Sequence, residues 1–168
     1  LNAPGLLCGY SMGARLALSY SLKHGRDISG LVLIGGTPGI EDQEEAAARA
    51  TNDARLASRI DNEGVSEFVH YWERLPLFAS QVHLPDGVKR SIRRIRLAQR
   101  SHGIANSLRM ASTGIMMSMW KELEKLEIPT LLITGAYDEK FTELAEQMER
   151  AIPSARHVIV PNAGHAAH

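Results

Sequence analysis

Five residues near the start of the chain constrain its fold most: Gly9-Tyr10-Ser11-Met12-Gly13. They follow a short apolar run, Leu6-Leu7-Cys8, and lead into a helical pattern, Ala14-Arg15-Leu16-Ala17-Leu18-Ser19-Tyr20. A G-x-S-x-G sequence between a strand and a helix is the signature of a nucleophile elbow, a sharp turn that lifts one hydroxyl above the end of a sheet. The helix that follows offers a free backbone N–H and the positive end of its dipole there, so the Met12 N–H is a candidate oxyanion donor. Small residues flank the serine because its backbone is strained and the helix must pack close to the strand.

The rest of the chain alternates in a way that suits such a turn. The first helix is expected to run to Leu22 and to end at Lys23-His24-Gly25, with cations near the negative end of its dipole. Leu31-Val32-Leu33-Ile34, bounded by Gly30 and Gly35-Gly36, reads as a strand buried on both faces of a parallel sheet. From Glu41 to about Trp120 the patterns are helical, over Glu44 to Ile60, Val65 to Trp72, Val88 to Arg100, Ile104 to Met110 and Trp120 to Leu126. Pro129 to Gly135 then reads as a strand, Phe141 to Ile152 as an amphipathic helix, and His157-Val158-Ile159-Val160 as a last strand. Strand and helix alternate, so an α/β architecture with a parallel sheet is expected. An all-helical stretch between two strands reads as a lid or cap. The expected division is a core from residues 1–40 and 121–168, with a helical cap over 41–120.

Composition sets the boundaries. The chain has 168 residues, 44% apolar and 23% charged, with 19 basic and 19 acidic side chains. Those are the proportions of an ordinary globule with a real core. Balanced charge gives no global support for nucleic acid or an anionic membrane as a partner, so neither is expected. No apolar run approaches the ~18 residues of a membrane span, and a cytoplasmic location is expected. A single cysteine, Cys8, rules out an intrachain disulfide and a Cys-x-x-Cys metal site; it is expected to be a buried strand residue.

A serine hydroxyl is a poor nucleophile or base at neutral pH. It needs a histidine to take its proton and a carboxylate to hold that histidine. Catalytic groups should lie at the carboxyl ends of parallel strands. Asp138, three residues past the strand that ends at Gly135, and His165, in the loop after the last strand, meet that demand in the chain order Ser11, Asp138, His165. Each has a plainer reading. Asp138 suits the N-terminal cap of the next helix, and His165 suits a surface loop. Of the other histidines only His168 lies close to the candidate site.

The residues point further than the elbow. The chain resembles the 2-succinyl-6-hydroxy-2,4-cyclohexadiene-1-carboxylate synthases of menaquinone biosynthesis, lyases with the α/β-hydrolase fold. The resemblance runs from Leu6 to His168. It rests on Gly9 to Arg15, with an arginine four residues after the serine; on Gly36-Thr37-Pro38-Gly39 followed by a helix with Arg49; on Tyr71-Trp72 with Pro76-Leu77-Phe78-Ala79-Ser80; and on Gly135 to Phe141 and Ala163 to His168. The cap segments and the Asp-x-Lys-Phe stretch are more specific than the elbow, which many hydrolases share. The resemblance implies further strands and an oxyanion loop ahead of Leu1 and a closing helix beyond His168. The N-terminal half and the final helix of the fold are therefore expected to be missing from this sequence.

What the resemblance implies chemically is a 2,5-elimination of pyruvate from 2-succinyl-5-enolpyruvyl-6-hydroxy-3-cyclohexene-1-carboxylate. Ser11 would be the direct base, relayed through His165 and Asp138, with no metal or organic cofactor. A small polycarboxylate needs fixed cations, and arginine pairs with carboxylates in bidentate fashion. Arg15, Arg49 and Arg96 are the candidates, with Tyr10 and Trp72 lining the pocket. Their plainer readings are solvated helix arginines and ordinary aromatic packing. Lys89, Arg90, Arg93 and Arg94 read as the wet face of their helix. Two other functions stay open: a serine hydrolase of esters or carbon–carbon bonds, for which the same triad serves, and a partial chain with no activity of its own. Nothing in the sequence bears on the oligomeric state.

Overall fold

A computed structural model describes residues 5–168. In chain order the elements are β1 (Gly5–Tyr10), α1 (Met12–His24), β2 (Ile28–Ile34), α2 (Gln43–Trp72), α3 (Asp86–Leu97), α4 (Ser101–Met110), β3 (Thr130–Gly135), α5 (Glu139–Ala151) and β4 (Ala155–Val160). Three 3-10 segments, Gly25–Asp27, Pro76–His83 and Trp120–Lys125, fill the connections. Two compact units result: Leu1–Gly39 together with Ser118–His168, and Ile40–Met117.

The first unit is built on a four-stranded sheet in the order β1-β2-β3-β4. Every neighbouring pair is parallel, and Tyr10, Ile34, Ile133 and Val158 lie in register across the strands. All four carboxyl ends therefore open on the same edge of the sheet, where parallel α/β sheets hold their ligands. Helix α1 turns Ala14, Ala17, Leu18 and Ser21 inward, a spacing of three and four that makes one helical face. Ser21 keeps its buried hydroxyl satisfied by donating to the Ala17 carbonyl at 2.8 Å. Helix α5 buries Ala145 and Met148. Beneath these helices Leu31, Leu33 and Leu132 are almost fully buried.

The other sheet face differs. Leu6 is 78% exposed, and Cys8 is exposed rather than buried. Side chains alternate along a strand. Gly9 faces α1, whose backbone lies against it, so its neighbour Cys8 points away from that helix. The expectation that Cys8 is a buried strand residue fails for this reason.

Trp120 to Leu126, expected as a helix, holds a 3-10 segment over Trp120–Lys125 instead, with Leu126 following as its extended cap. Its start is pinned by two bonds to the loop after β2: Met119 N–H to the Pro38 carbonyl at 2.7 Å and Trp120 Nε1–H to the Gly39 carbonyl at 3.2 Å. Leu123 and Leu126 are both buried. They are three residues apart, which a 3-10 turn brings onto one side.

The second unit, Ile40–Met117, has no strand among its described residues. Asp42 starts α2 by accepting the Glu45 N–H at 2.8 Å, and Glu44 and Glu45 lie in the first turn, where the helix dipole favours negative charge. The long α2 is interrupted at Gly64, whose φ of 86° and ψ of 175° are not helical. Ala57, Ile60 and Ala105 form the core here, packed with Leu56, Phe68, Ile104 and Leu108. Helix α3 has no fully buried residue. No helix among the described residues is long and apolar enough to cross a membrane.

Candidate active site

Ser11 sits immediately after β1 with φ 51° and ψ −109°. That is the left-handed half of backbone space, which costs a residue with a Cβ about 1–3 kcal/mol and persists only where the surroundings fix it. The Ser11 N–H donates to the Ile34 carbonyl at 2.8 Å, and its carbonyl accepts from the Arg15 N–H at 3.2 Å. Gly9 makes the tight turn possible: a Cβ there would lie 2.3 Å from the Gly13 oxygen. A Cβ on Gly13 would meet nothing within 4 Å, so only the first glycine of the motif is required sterically among the described residues.

Ser11 and Asp138 both occupy helix N-cap positions, of α1 and α5, and neither side chain caps its helix. Serine and aspartate at such positions ordinarily bond back to the first turn. Here both side chains are turned to His165 instead. Asp138 Oδ2 lies 2.7 Å from His165 Nδ1, and Ser11 Oγ lies 2.9 Å from His165 Nε2. An ionised carboxylate only accepts, so the neutral-ring tautomer that satisfies both bonds carries its proton on Nδ1. Nε2 is then left with the lone pair that accepts the Ser11 hydroxyl. His165 is 2% exposed and Asp138 6% exposed, so the bond between them lies out of competition with water, whereas the bond to Ser11 is partly buried. Among the described residues no buried side-chain nitrogen or oxygen lacks a partner.

The loops that carry the acid and the histidine are stitched together through their backbones. The Ala136 N–H donates to the Val160 carbonyl at 2.9 Å and the Tyr137 N–H to the Ala163 carbonyl at 2.8 Å. Tyr137 also donates its hydroxyl to Asn162 Oδ1 at 3.0 Å. Gly135 permits this approach, since a Cβ there would lie 2.2 Å from the Gly164 oxygen. The imidazole is then flanked by the Phe141 ring at 4.4 Å and the Tyr10 ring at 5.4 Å between centroids. Tyr10 also lies 4.5 Å from the His168 ring.

The remaining candidates divide between the units. Met12 is the first residue of α1, and first-turn N–H groups have no acceptor within their own helix. Arg15 is half-buried on α1, one turn past Ser11. In the helical unit, Arg49 donates Nε–H to Asp53 Oδ2 at 2.9 Å. Trp72 belongs to an aromatic cluster, 5.1 Å from Phe68 and 5.6 Å from Phe78. Arg96 lies over the Phe78 ring at 5.1 Å and bonds Gln81 Oε1 at 3.2 Å. Together with Glu73, Phe78, Lys89, Arg90 and Arg93 it lines a cavity of about 360 Å³. Arg93 departs from the expectation of a wet helix face, because it donates to Glu73 across the unit. No group of three or more His, Cys, Asp or Glu that could hold a metal ion occurs among the described residues.

Sequence reasoning missed Phe141, Asp53 and Glu73. The first two left a signal. Phe141 follows Asp138 by three residues, so one helical turn returns its ring to the histidine. Asp53 follows Arg49 by four, the spacing of a helical ion pair. Glu73 left none, because its partners lie 20 and 23 residues away in the chain.

A carboxylate, an imidazole and a hydroxyl bonded in series can move a proton from the hydroxyl and leave an oxygen that acts as nucleophile or base. The comparisons with known proteins bear on which. The chain is 42% identical over 162 residues to a Bacillus subtilis (strain 168) protein named as a candidate 2-succinyl-6-hydroxy-2,4-cyclohexadiene-1-carboxylate synthase, covering 96% of this chain and 59% of that protein. It is 32% identical to the synthase of that name from Salmonella enteritidis, over 96% of this chain and 61% of the other. Among solved structures, MenH from S. aureus superposes with a TM-score of 0.97 at 38% identity, over 99% of this chain and 63% of that one. A thermophilic esterase from Thermogutta terrifontis superposes with a TM-score of 0.80 at 26% identity, over 97% of this chain and 58% of the other. The chain thus spans about three fifths of the length of these relatives. The model of the alpha/beta hydrolase fold family matches residues 2–168. With that match running through the parallel sheet, the serine turn and the loops of Asp138 and His165, this chain belongs to the alpha/beta hydrolase fold family.

Proposed function

We propose that this chain carries the active site of a carbon–oxygen lyase. It eliminates pyruvate from 2-succinyl-5-enolpyruvyl-6-hydroxy-3-cyclohexene-1-carboxylate and leaves 2-succinyl-6-hydroxy-2,4-cyclohexadiene-1-carboxylate. The observation that carries the reading is the bonded series Ser11–His165–Asp138. The names of the similar synthases supply the substrate.

In this proposal His165 Nε2 takes the Ser11 proton, and the serine oxygen removes a ring proton from the substrate. The electron pair of that C–H bond moves through the ring double bond and expels the enolpyruvyl oxygen, so a C–O bond breaks. The departing enolate takes up, at its methylene carbon, the proton held by His165 and leaves as pyruvate, which restores the neutral imidazole and the Ser11 hydroxyl. Asp138 holds the imidazole in the accepting tautomer and stabilises its charged form. The Met12 N–H offers a hydrogen bond to the negative charge that builds on the substrate. Arg15, Arg49 and Arg96 take substrate carboxylates, Tyr10 and Trp72 line the pocket, and the helical unit Ile40–Met117 serves as the cap. No cofactor enters.

The test uses the complete protein, supplied with the enolpyruvyl substrate and, separately, with a simple aryl ester. Rapid pyruvate release with slow ester turnover supports the lyase. Ester turnover without pyruvate supports the hydrolase, a reading favoured by the structural likeness to the Thermogutta esterase. A protein inert to both would contradict the lyase and the hydrolase readings alike.

A further inference from the structure

We infer that Asp53 and Ser112 form a built clamp that positions Arg49 for a substrate carboxylate; the inference rests on the proposed lyase reading, in which Arg49 contacts substrate. Asp53 is an uncommon residue for a helix surface, since it is only 7% exposed. Its Oδ2 accepts two bonds, from Arg49 Nε at 2.9 Å and from Ser112 Oγ at 2.7 Å. Ser112 is itself buried, and its Oγ accepts the Gly114 N–H at 3.0 Å. The order of donation is therefore fixed: backbone amide to serine, serine to carboxylate, guanidinium to the same carboxylate.

The serine reaches this position by direct packing of backbone on backbone. A Cβ on Gly114 would lie 2.3 Å from the Ala46 oxygen and 2.4 Å from the Ala50 nitrogen. The segment after α4 is thus laid against the first turns of α2, and Ser112 arrives 59 residues along the chain from its partner. An ordinary helical ion pair four residues apart needs no such second element.

The bond uses only the Nε edge of Arg49. Its terminal nitrogens have no acceptor among the described residues, and the side chain is 46% exposed. A guanidinium held by Nε presents its two Nη groups as a fork, the geometry that receives the two oxygens of a carboxylate. A free arginine would have to lose its rotamer freedom when the substrate binds; the clamp removes much of that loss beforehand. Asp53 is thus a positioning residue, acting through Arg49.

The experiment is a double-mutant cycle in the complete protein, followed by pyruvate release. Asp53→Asn keeps the volume but lacks the ionised acceptor, and Ser112→Ala is the milder second variant. Each is expected to raise KM, by about tenfold and about threefold, with kcat little changed and the melting temperature close to that of the parent. In an Arg49→Ala background, Asp53→Asn is expected to add nothing further. A full multiplicative effect of Asp53→Asn in that background, or a fall in kcat and melting temperature with KM unchanged, would overturn the clamp while leaving the substrate role of Arg49 in place. If Arg49→Ala alone leaves KM and kcat unaltered, the substrate contact itself is wrong, and so is the clamp's purpose. A parent protein that releases no pyruvate would refute the reaction and this role together.

Discussion

Ser11 and Asp138 share a property that local rules alone would not anticipate. Each is a good capping residue at the start of a helix, and each leaves its helix uncapped. A cap is typically worth about 1 kcal/mol, and Ser11 adds the cost of a positive φ. The backbone part of that cost can be measured. Ser11→Ala and Ser11→Gly both remove the hydroxyl, so their difference isolates the backbone. Glycine is ordinarily the less stable of the two by about 0.5–1 kcal/mol. At φ 51° the order should reverse, with Ser11→Gly the more stable by about 1 kcal/mol in urea unfolding. Alanine proving the more stable would mean that the turn is not strained as described. The positions of Ser11, Asp138 and His165 were legible from residue type, chain order and the ends of apolar runs. The choice between capping and catalysis at Asp138 was not, because both readings need the same residue at the same place. What the geometry adds is where Oδ2 points, to His165 Nδ1 at 2.7 Å and not to the first turn of α5.

At the level of elements, the strands and the main helices follow from apolar runs and from glycine and proline punctuation. The break in α2 was also visible, since Gly64 separates the two helical patterns around it. Trp120 to Lys125 was misjudged because its leucine spacing suits a 3-10 turn as well as a helix, and what decides is a bond from Trp120 to Gly39, 81 residues away. The backbone stitching between the loops after β3 and β4 was equally invisible, as carbonyl and amide partners leave no mark in side-chain identity. That stitching depends on Gly135. Gly135→Ala must move backbone atoms that now lie 2.2–2.5 Å from the new Cβ. A loss of about 1–3 kcal/mol in chemical denaturation is expected, together with a lower kcat as Asp138 and His165 part. Unchanged stability and rate would show that the loops are not held as closely as this.

For the molecule as a whole, the parallel sheet and the helical insertion were both foreseeable from the alternation of patterns, whereas the bare face of β1 was not. A run such as Leu6-Leu7-Cys8 looks the same whether one side or both sides are covered. With Leu6 at 78% exposure and Leu16 and Tyr20 exposed on α1, this 168-residue polypeptide on its own should bind a dye that fluoresces on apolar surface. Leu6→Lys should weaken the signal. A dye signal no higher than that of an ordinary globular protein would contradict the exposure of these apolar side chains.

The central claim is that Ser11, His165 and Asp138 act as one proton-moving unit. Pyruvate release measured for Ser11→Ala, His165→Ala and the double variant of the complete protein tests it most directly. Groups that act together are lost together, so each single change should cost roughly 10³-fold or more in kcat, and the double should cost no more than the worse single. A Ser11→Ala variant that releases pyruvate at close to the parent rate, or a double variant whose loss is the product of the two singles, would contradict it.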